Sequence, residues 1–247
     1  MSENVRVYAL IPARSGSRGV PNKNVRQIAG HPLLAYSIAF AKKIKLDRII
    51  VSTDSPHYQE IAIHYGADCP YLRGAYASSH TAMEEDILAD LAATLPKLGI
   101  AMPDVWVRLK PTSPLRSIRS VEAALAALSA DPGLDSVRVV SETESRLHVV
   151  NEDGYLEPQS PHWDSRRSVM RRDEFPRAYK PFNLDVLRHA FWIERGAAYM
   201  GQRVKPIFEH RVTGIDIDDE DDFELVKALI SIKPRPAFLE PFIHDPA

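Results

Sequence analysis

Four polar clusters carry residue types that suit phosphate, sugar and metal chemistry. The first is Ile11-Pro12-Ala13-Arg14-Ser15-Gly16-Ser17-Arg18-Gly19-Val20-Pro21-Asn22-Lys23-Asn24. Glycine lets backbone N–H groups turn toward an anion with no Cβ in the way. Arg14, Arg18 and Lys23 bring positive charge to the same place, which suits a triphosphate. The plain alternative is a flexible basic loop. Neither G-x-x-x-x-G-K-[ST] nor G-x-G-x-x-G is present, so the stretch is neither a P-loop of that type nor a dinucleotide fingerprint.

The second cluster is Lys110-Pro111-Thr112-Ser113-Pro114-Leu115-Arg116. Prolines stiffen a loop that carries two hydroxyls and a cation at each end. Such a loop suits base or sugar recognition, or is simply a Pro-rich strand-to-helix connection. The third runs from Gly214 to Asp222, where Asp216 and Asp218 alternate with isoleucines. In a strand both carboxylates would face one side. Two carboxylates beside a phosphate are the usual way to hold Mg²⁺. Asp219 to Asp222 read instead as the charged start of the last helix. The fourth joins Arg73 to Ser78-Ser79-His80-Thr81, where an arginine can reach a base carbonyl or a phosphate and the hydroxyls read equally as helix caps.

Covalent and zinc chemistry find no support. There is no G-x-S-x-G elbow, the single Cys69 precedes a proline, and the nine histidines show no H-x-x-x-H spacing. Phosphoryl chemistry by positioning and charge neutralisation fits the residue types better.

Alternating strand and helix signals must position these clusters. Val5–Ile11 reads as a buried strand and Pro32–Ile44 as a helix. Arg48–Thr53 follows as a strand ending at Asp54, then a helix through Glu60 and Tyr65 capped by Ser55 or Asp54. Ala67–Leu72 is a short strand candidate, Ala82–Leu95 an acidic-started helix, Val105–Leu109 a strand, Ser117–Ala130 a helix and Ser136–Val140 a strand. This order argues for an α/β, doubly wound, mostly parallel sheet, whose ligands bind at the carboxyl ends of strands. All four clusters fall there.

The pattern breaks from about Glu142 to Ala178, where a hairpin about Asp153-Gly154 precedes an arginine-rich stretch. That stretch reads as a solvated loop or as an arm contacting an anion or a partner subunit. Phe191–Glu194, Val204–Phe208 and Thr213–Ile217 are further strand candidates, and Asp221–Ile230 is the final helix. The division is a domain over 1–232, with an arm at about 142–182, and an irregular tail over 233–247 expected on the surface. The chain has 247 residues, 31 basic and 33 acidic, for a net charge of −2, which gives no reason to expect nucleic acid or a membrane. No apolar run reaches the length of a membrane span and no signal peptide is evident, so a cytoplasmic protein is expected.

These motifs together resemble the acylneuraminate cytidylyltransferases, which join CTP to a nine-carbon 2-keto acid sugar and release pyrophosphate. The resemblance spans about residues 5 to 230 and rests on Ile11–Asn24, Val51-Ser52-Thr53-Asp54, Leu109–Arg116, Arg171-Arg172-Asp173 and Ile215–Asp218. It implies a Rossmann-like nucleotidyltransferase fold with a dimerisation arm, hence a homodimer, and Mg²⁺ as cofactor. By resemblance, Arg14, Ser15, Lys23 and Asn24, with Ala13 and Gly16 beside them, contact the triphosphate and cytosine. Arg73, Ser79 and Thr81 line the nucleotide and sugar pocket, and Asp216 and Asp218 bind the metal. Arg14, Lys23 and Arg172 supply catalytic charge. Lys110, Thr112 and Ser113 face the acceptor.

Two departures fall on the sugar side. Lys110 stands where the family usually has glutamine, and Tyr179–Asp185 replaces an Asn-Gly followed by an apolar strand. The acceptor expected is therefore sialic acid or a related nonulosonate such as legionaminic or pseudaminic acid. The alternatives are another anionic acceptor, such as an octulosonate or a phosphonate, and a catalytically inactive nucleotide-binding homologue.

Overall fold

The structure is a computed structural model. It describes residues 5–17, 19–160, 163, 171–174, 176–181, 184–189 and 199–247. The first half alternates strand and helix. Strand β1 (Val7–Pro12) is followed by the short pair β2 (Gln27–Ile28) and β3 (His31–Pro32), helix α1 (Leu33–Lys42), β4 (Arg48–Ser52), α2 (Pro56–His64) and α3 (Glu84–Thr94). Then come β5 (Val105–Leu109), α4 (Ile118–Ala130) and β6 (Ser136–Thr143). The second half holds the hairpin β7 (His148–Val150) and β8 (Leu156–Pro158), then β9 (Ala178–Lys180), β10 (Leu184–Arg188), β11 (Val204–Glu209) and α5 (Glu220–Ser231).

The main sheet runs β11-β6-β10-β5-β1-β4, with β9 added to the end of β6. β1 pairs in parallel with β4 and β5, and β6 with β11, whereas β10 lies antiparallel between β5 and β6. The sheet is thus mixed and mostly parallel. Side chains alternate between its faces. Ala9, Ile11, Val107, Leu109, Leu184 and Val186 pack with α1, α2 and α4, where Ile38, Ala62, Val121 and Leu128 are buried. Tyr8, Leu10, Trp106 and Leu187 pack on the other face with Ile87, Leu88 and Leu91 of α3.

Local chemistry explains the helix starts. Ser55 accepts from the Tyr58 N–H at 3.4 Å and Pro56 follows at the first helical position. Asp219 accepts from the Asp222 N–H at 2.9 Å, so the acidic run does open α5, with the sign its dipole prefers. The hairpin turns at Gly154, whose φ of 85° is left-handed.

Several expectations are corrected. Ala67–Leu72 forms no strand, only an isolated bridge between Asp68 and Ile50. Thr213–Ile217 is no strand either: a 3-10 turn over Arg211–Gly214 leads into an irregular segment. Phe191–Glu194 lies outside the described residues. A strand the sequence reading passed over, β10, occupies the middle of the sheet. Its Asp185 is wholly buried, and Arg108 of β5 and Arg138 of β6 reach it from both neighbouring strands at 3.2 and 2.7 Å. Arg108 also pairs with Glu84 at the start of α3. A buried carboxylate between two strands is tolerable only when paired in this way. The tail, expected on the surface, instead buries Leu239, Phe242 and Ile243, and a 3-10 turn spans Glu240–Phe242. The tail's backbone is otherwise irregular, yet this apolar trio packs against α1 and α5.

Candidate active site

The carboxyl ends of β1, β4 and β5 point to one edge of the sheet, and β6 runs in the same sense. The loop after β1 is fastened from two sides. Asp54, just beyond β4, accepts from the Ser15 N–H and the Ser15 hydroxyl, both at 2.7 Å. Burial alone would raise the Asp54 carboxyl, but these bonds and the nearby Arg73 outweigh it and hold it below its ordinary value. On the other side, a Cβ on Gly19 would collide with the backbone oxygen of Asp218. That glycine is what allows the loop to close against the aspartate segment.

Lys23 and Asn24 sit on the 3-10 turn Lys23–Val25. The Lys23 ammonium donates to the Ile217 carbonyl and lies 3.9 Å from Asp218 Oδ1. Burial pushes its pKa down, while Asp218 and Asp216 oppose the shift. Asn24 donates to the Arg14 carbonyl at 3.1 Å, and its buried Oδ1 has no partner among the described residues. An orphaned acceptor of this kind fits a ligand's N–H or O–H. Arg73 is buried, donating to the Ser52 and Ala77 carbonyls, and its Nε is likewise without a partner among the described residues. Burial lowers its pKa.

After β5, Lys110 turns toward Asp216. Its ammonium donates to Asp216 Oδ2 at 2.7 Å, while the Thr112 and Ser113 hydroxyls donate to Oδ1 at 2.5 and 3.1 Å. Asp216 is buried, which would raise its pKa, but Lys110 and these bonds hold it below the usual carboxylate range. Lys110, expected to face the acceptor, pairs with Asp216.

Two hollows result. One, of about 300 Å³, is lined by Arg14, Ser17, Lys23, Asn24, Arg73, Ser79, Glu84, Lys110 and Thr112 among others. The second, of about 540 Å³, is lined by Glu142, Lys180, His210, Arg211, Asp216 and Asp218 with Leu225, Leu229 and Phe238. Lys110 lines the first and its partner Asp216 the second, so their ion pair stands where the two meet.

The structure therefore brings seven expected residues to one cleft: Arg14, Lys23, Asn24, Arg73, Ser79, Lys110 and Thr112. Ser113 is behind it, on Asp216. Ala13, Ser15, Gly16 and Thr81 are not among its lining residues; Ala13 is buried, Ser15 is tied to Asp54, and Thr81 is exposed, within 3.2 Å of the Ser79 hydroxyl. Arg172 lies on the 3-10 turn Arg172–Glu174, and its side chain is outside the described residues. The alternation that suggested Asp216 and Asp218 share one strand face does not hold: one is buried and the other exposed, although both influence Lys23. Asp54, Glu84, Lys180, His210 and Arg211 were given no place in the site from sequence. Only Asp54 carried a signal, as a polar residue just after a strand.

A model of the cytidylyltransferase family matches residues 8–229. The chain belongs to the cytidylyltransferase family. As a member it is a nucleotidyltransferase, with the glycine loop and the cleft beside it at the strand ends. Among its relatives is the CMP-N,N'-diacetyllegionaminic acid synthase of Legionella pneumophila, 28% identical over 92% of this chain and 97% of that protein. The post-translational flagellin modification protein B of Campylobacter coli is 27% identical over 92% of this chain and 96% of its own. An N-acylneuraminate cytidylyltransferase of Escherichia coli is 27% identical over 93% of this chain but 53% of its own length. Of solved structures, a CMP:2-keto-3-deoxy-manno-octonic acid synthetase complexed with CTP shares the fold, with a TM-score of 0.64 at 19% identity over 92% of this chain and 98% of that one. The Rossmann-like α/β nucleotidyltransferase architecture expected from the sequence is thus the one found.

Proposed function

We propose that this cytidylyltransferase transfers CMP from CTP to an acidic 2-keto sugar, sialic acid or a related nonulosonate, releasing pyrophosphate. One observation supports this most: two hollows meet at a single lysine–aspartate pair. The first hollow, with Arg14, Lys23, Asn24 and Arg73, suits a nucleotide triphosphate. The second, with Lys180, His210 and Arg211, suits an anionic sugar. The relatives' names point the same way. In the reaction, the acceptor's anomeric oxygen bonds to the α-phosphorus as the bond to the β-phosphate oxygen breaks. The hydroxyl proton is released and pyrophosphate leaves. Arg14 and Lys23 neutralise the charge that builds on the leaving group.

The residues present fit Mg²⁺. This ion needs only one or two carboxylates besides phosphate oxygens and water. Asp218 is exposed, and Asp216 has three donors on its carboxylate, leaving one of about four lone pairs. Asp218 would be the principal ligand, with Asp216 behind it. Bound there, the ion would supply further neutralisation of phosphate charge.

We also read the enzyme as a cytoplasmic homodimer. No helix among the described residues is long and apolar enough to cross a membrane. The β7–β8 hairpin exposes Val150, Tyr155 and Leu156, an apolar edge on the arm that a second copy would cover. The test of the function is direct. The purified protein is incubated with CTP, Mg²⁺ and a panel of sialic, legionaminic, pseudaminic and octulosonic acids, and pyrophosphate is measured. Release that depends on one nonulosonate is expected. Release only with the octulosonate, or with none, would overturn the reading.

A further inference from the structure

Beneath the site lies a second core, separate from the main one. It buries Val20 of the glycine loop, Leu115 of the Pro-rich loop and Ile217 between the two aspartates, together with Phe223, Val226 and Ile230 of α5. The tail closes this core with Leu239, Phe242 and Ile243. Three site loops therefore rest on one apolar cluster, and the end of the chain is part of its wall.

The tail also takes hold of one of those loops by hydrogen bonds. The Arg116 N–H donates to the Phe242 carbonyl at 2.9 Å. His244 Nε2 lies 3.0 Å from the Arg116 carbonyl, which only accepts, so Nε2 carries the proton. The imidazole sits edge-on to Phe40 of α1 at 5.0 Å, which fixes its plane. Arg116 itself is buried and spans inward: its guanidinium donates to the Lys110 carbonyl and to the Ser37 hydroxyl of α1, the latter at 3.1 Å. A continuous chain of contacts thus runs from His244 and Phe242 through Arg116 to the residue whose ammonium holds Asp216.

We propose that Arg116, fastened by the tail at Phe242 and His244, is a positioning residue that sets Lys110 at the junction of the two hollows. The C-terminal segment is then a strap for the acceptor side of the site. This rests on the reading of the second hollow as the acceptor's. The glycine loop shares the second core but has no hydrogen bond to the tail among those described, so loosening His244 acts on Lys110 before it acts on the triphosphate side.

The test compares His244→Ala, His244→Gln and Arg116→Lys with the parent enzyme. It measures kcat and KM for CTP and for the preferred acid, and amide hydrogen exchange of residues 110–116. His244→Ala should lower kcat/KM for the acid about fivefold, the size of one hydrogen bond, and leave the KM for CTP within about twofold. Exchange of 110–116 should quicken about tenfold. His244→Gln keeps a donor and should restore both. Arg116→Lys keeps the charge but cannot span two acceptors in a fixed fork, and should match or exceed the His244→Ala loss. A fall in Tm with unchanged acceptor kinetics and unchanged 110–116 exchange would overturn the proposal. So would equal losses for both substrates. The exchange needs no acceptor, so it stands or falls even if the panel finds no acid that reacts.

Discussion

Two lysine–aspartate pairs sit a short distance apart at the strand ends, and they are built differently. Lys110 and Asp216 are in direct contact at 2.7 Å, with 27% and 4% of their side chains exposed. Lys23 and Asp218 stand 3.9 Å apart, and Asp218 is 77% exposed. The first pair is closed, with two hydroxyls on the same carboxylate. The second is open on its aspartate side: the Lys23 ammonium is largely buried and donates to the Ile217 carbonyl, with the exposed Asp218 carboxylate 3.9 Å away. A buried, hydrogen-bonded pair fixes geometry, and removing one partner leaves a charge uncompensated. An exposed carboxylate contributes little to stability and is free to take up a ligand. The two aspartates are only two residues apart, yet one is buried in the frame and the other lies open to solvent.

Removing Asp218 should produce the largest effect on turnover. Asp218→Asn should cut kcat by about 100- to 1000-fold, the range for losing one preorganised electrostatic contact, with Tm nearly unchanged. Steady-state rates across a Mg²⁺ series check this, and parental kcat at every concentration would undo the open-pair assignment. Asp216→Asn should show the reverse bias. It strands Lys110 and should cost about 2–3 kcal/mol of stability in urea melts, less than a fully buried pair because Lys110 is partly exposed.

Lys110→Gln is the next smaller step, since it neutralises the pair from the other side and keeps a donor. A charged hydrogen bond is worth about 1.5–3 kcal/mol, so the KM of the acid should rise about ten- to a hundredfold while that of CTP changes little. Preference should move toward N-acetylneuraminate. A change in Tm alone would mean that the pair serves only the frame.

The smallest effect is on pH dependence. Asp216 and Asp54 both have carboxyls held below their ordinary 3.8 in the folded protein. A lowered folded pKa gives stability that is complete above the unfolded value and is lost as pH falls through the folded one. Stability should therefore decline below about pH 4 and be flat above pH 5 as far as these groups go. Asp216→Asn should soften that acid limb, which urea melts at several pH values would show.

The half of the site built on the glycine loop was the more legible. β1 is an apolar run, β4 is one after its first residue and β5 is broken only by Arg108; each is closed by Pro, Ser or Lys, and local residue types suffice to mark a buried strand with a polar loop behind it. The other half depends on pairings far apart in sequence. Asp185 in the middle of β10 breaks the apolar pattern, and only Arg108 and Arg138 on the flanking strands make a strand possible there. Lys110 was visible as a departure, but its partner lies 106 residues away. The tail's prolines outweighed Leu239, Phe242 and Ile243 in the reading, because their burial needs the surface offered by α1 and α5.

The division of labour between the two aspartates is tested most directly by metal binding. Free Mn²⁺ is followed by electron paramagnetic resonance as it is titrated into the protein with CTP and no acceptor, for the parent, Asp218→Asn and Asp216→Asn. An exposed ligand and a committed one should separate clearly: about tenfold or more weaker binding for Asp218→Asn, and less than about threefold for Asp216→Asn. Equal losses in the two variants, or a larger loss in Asp216→Asn, would contradict the account.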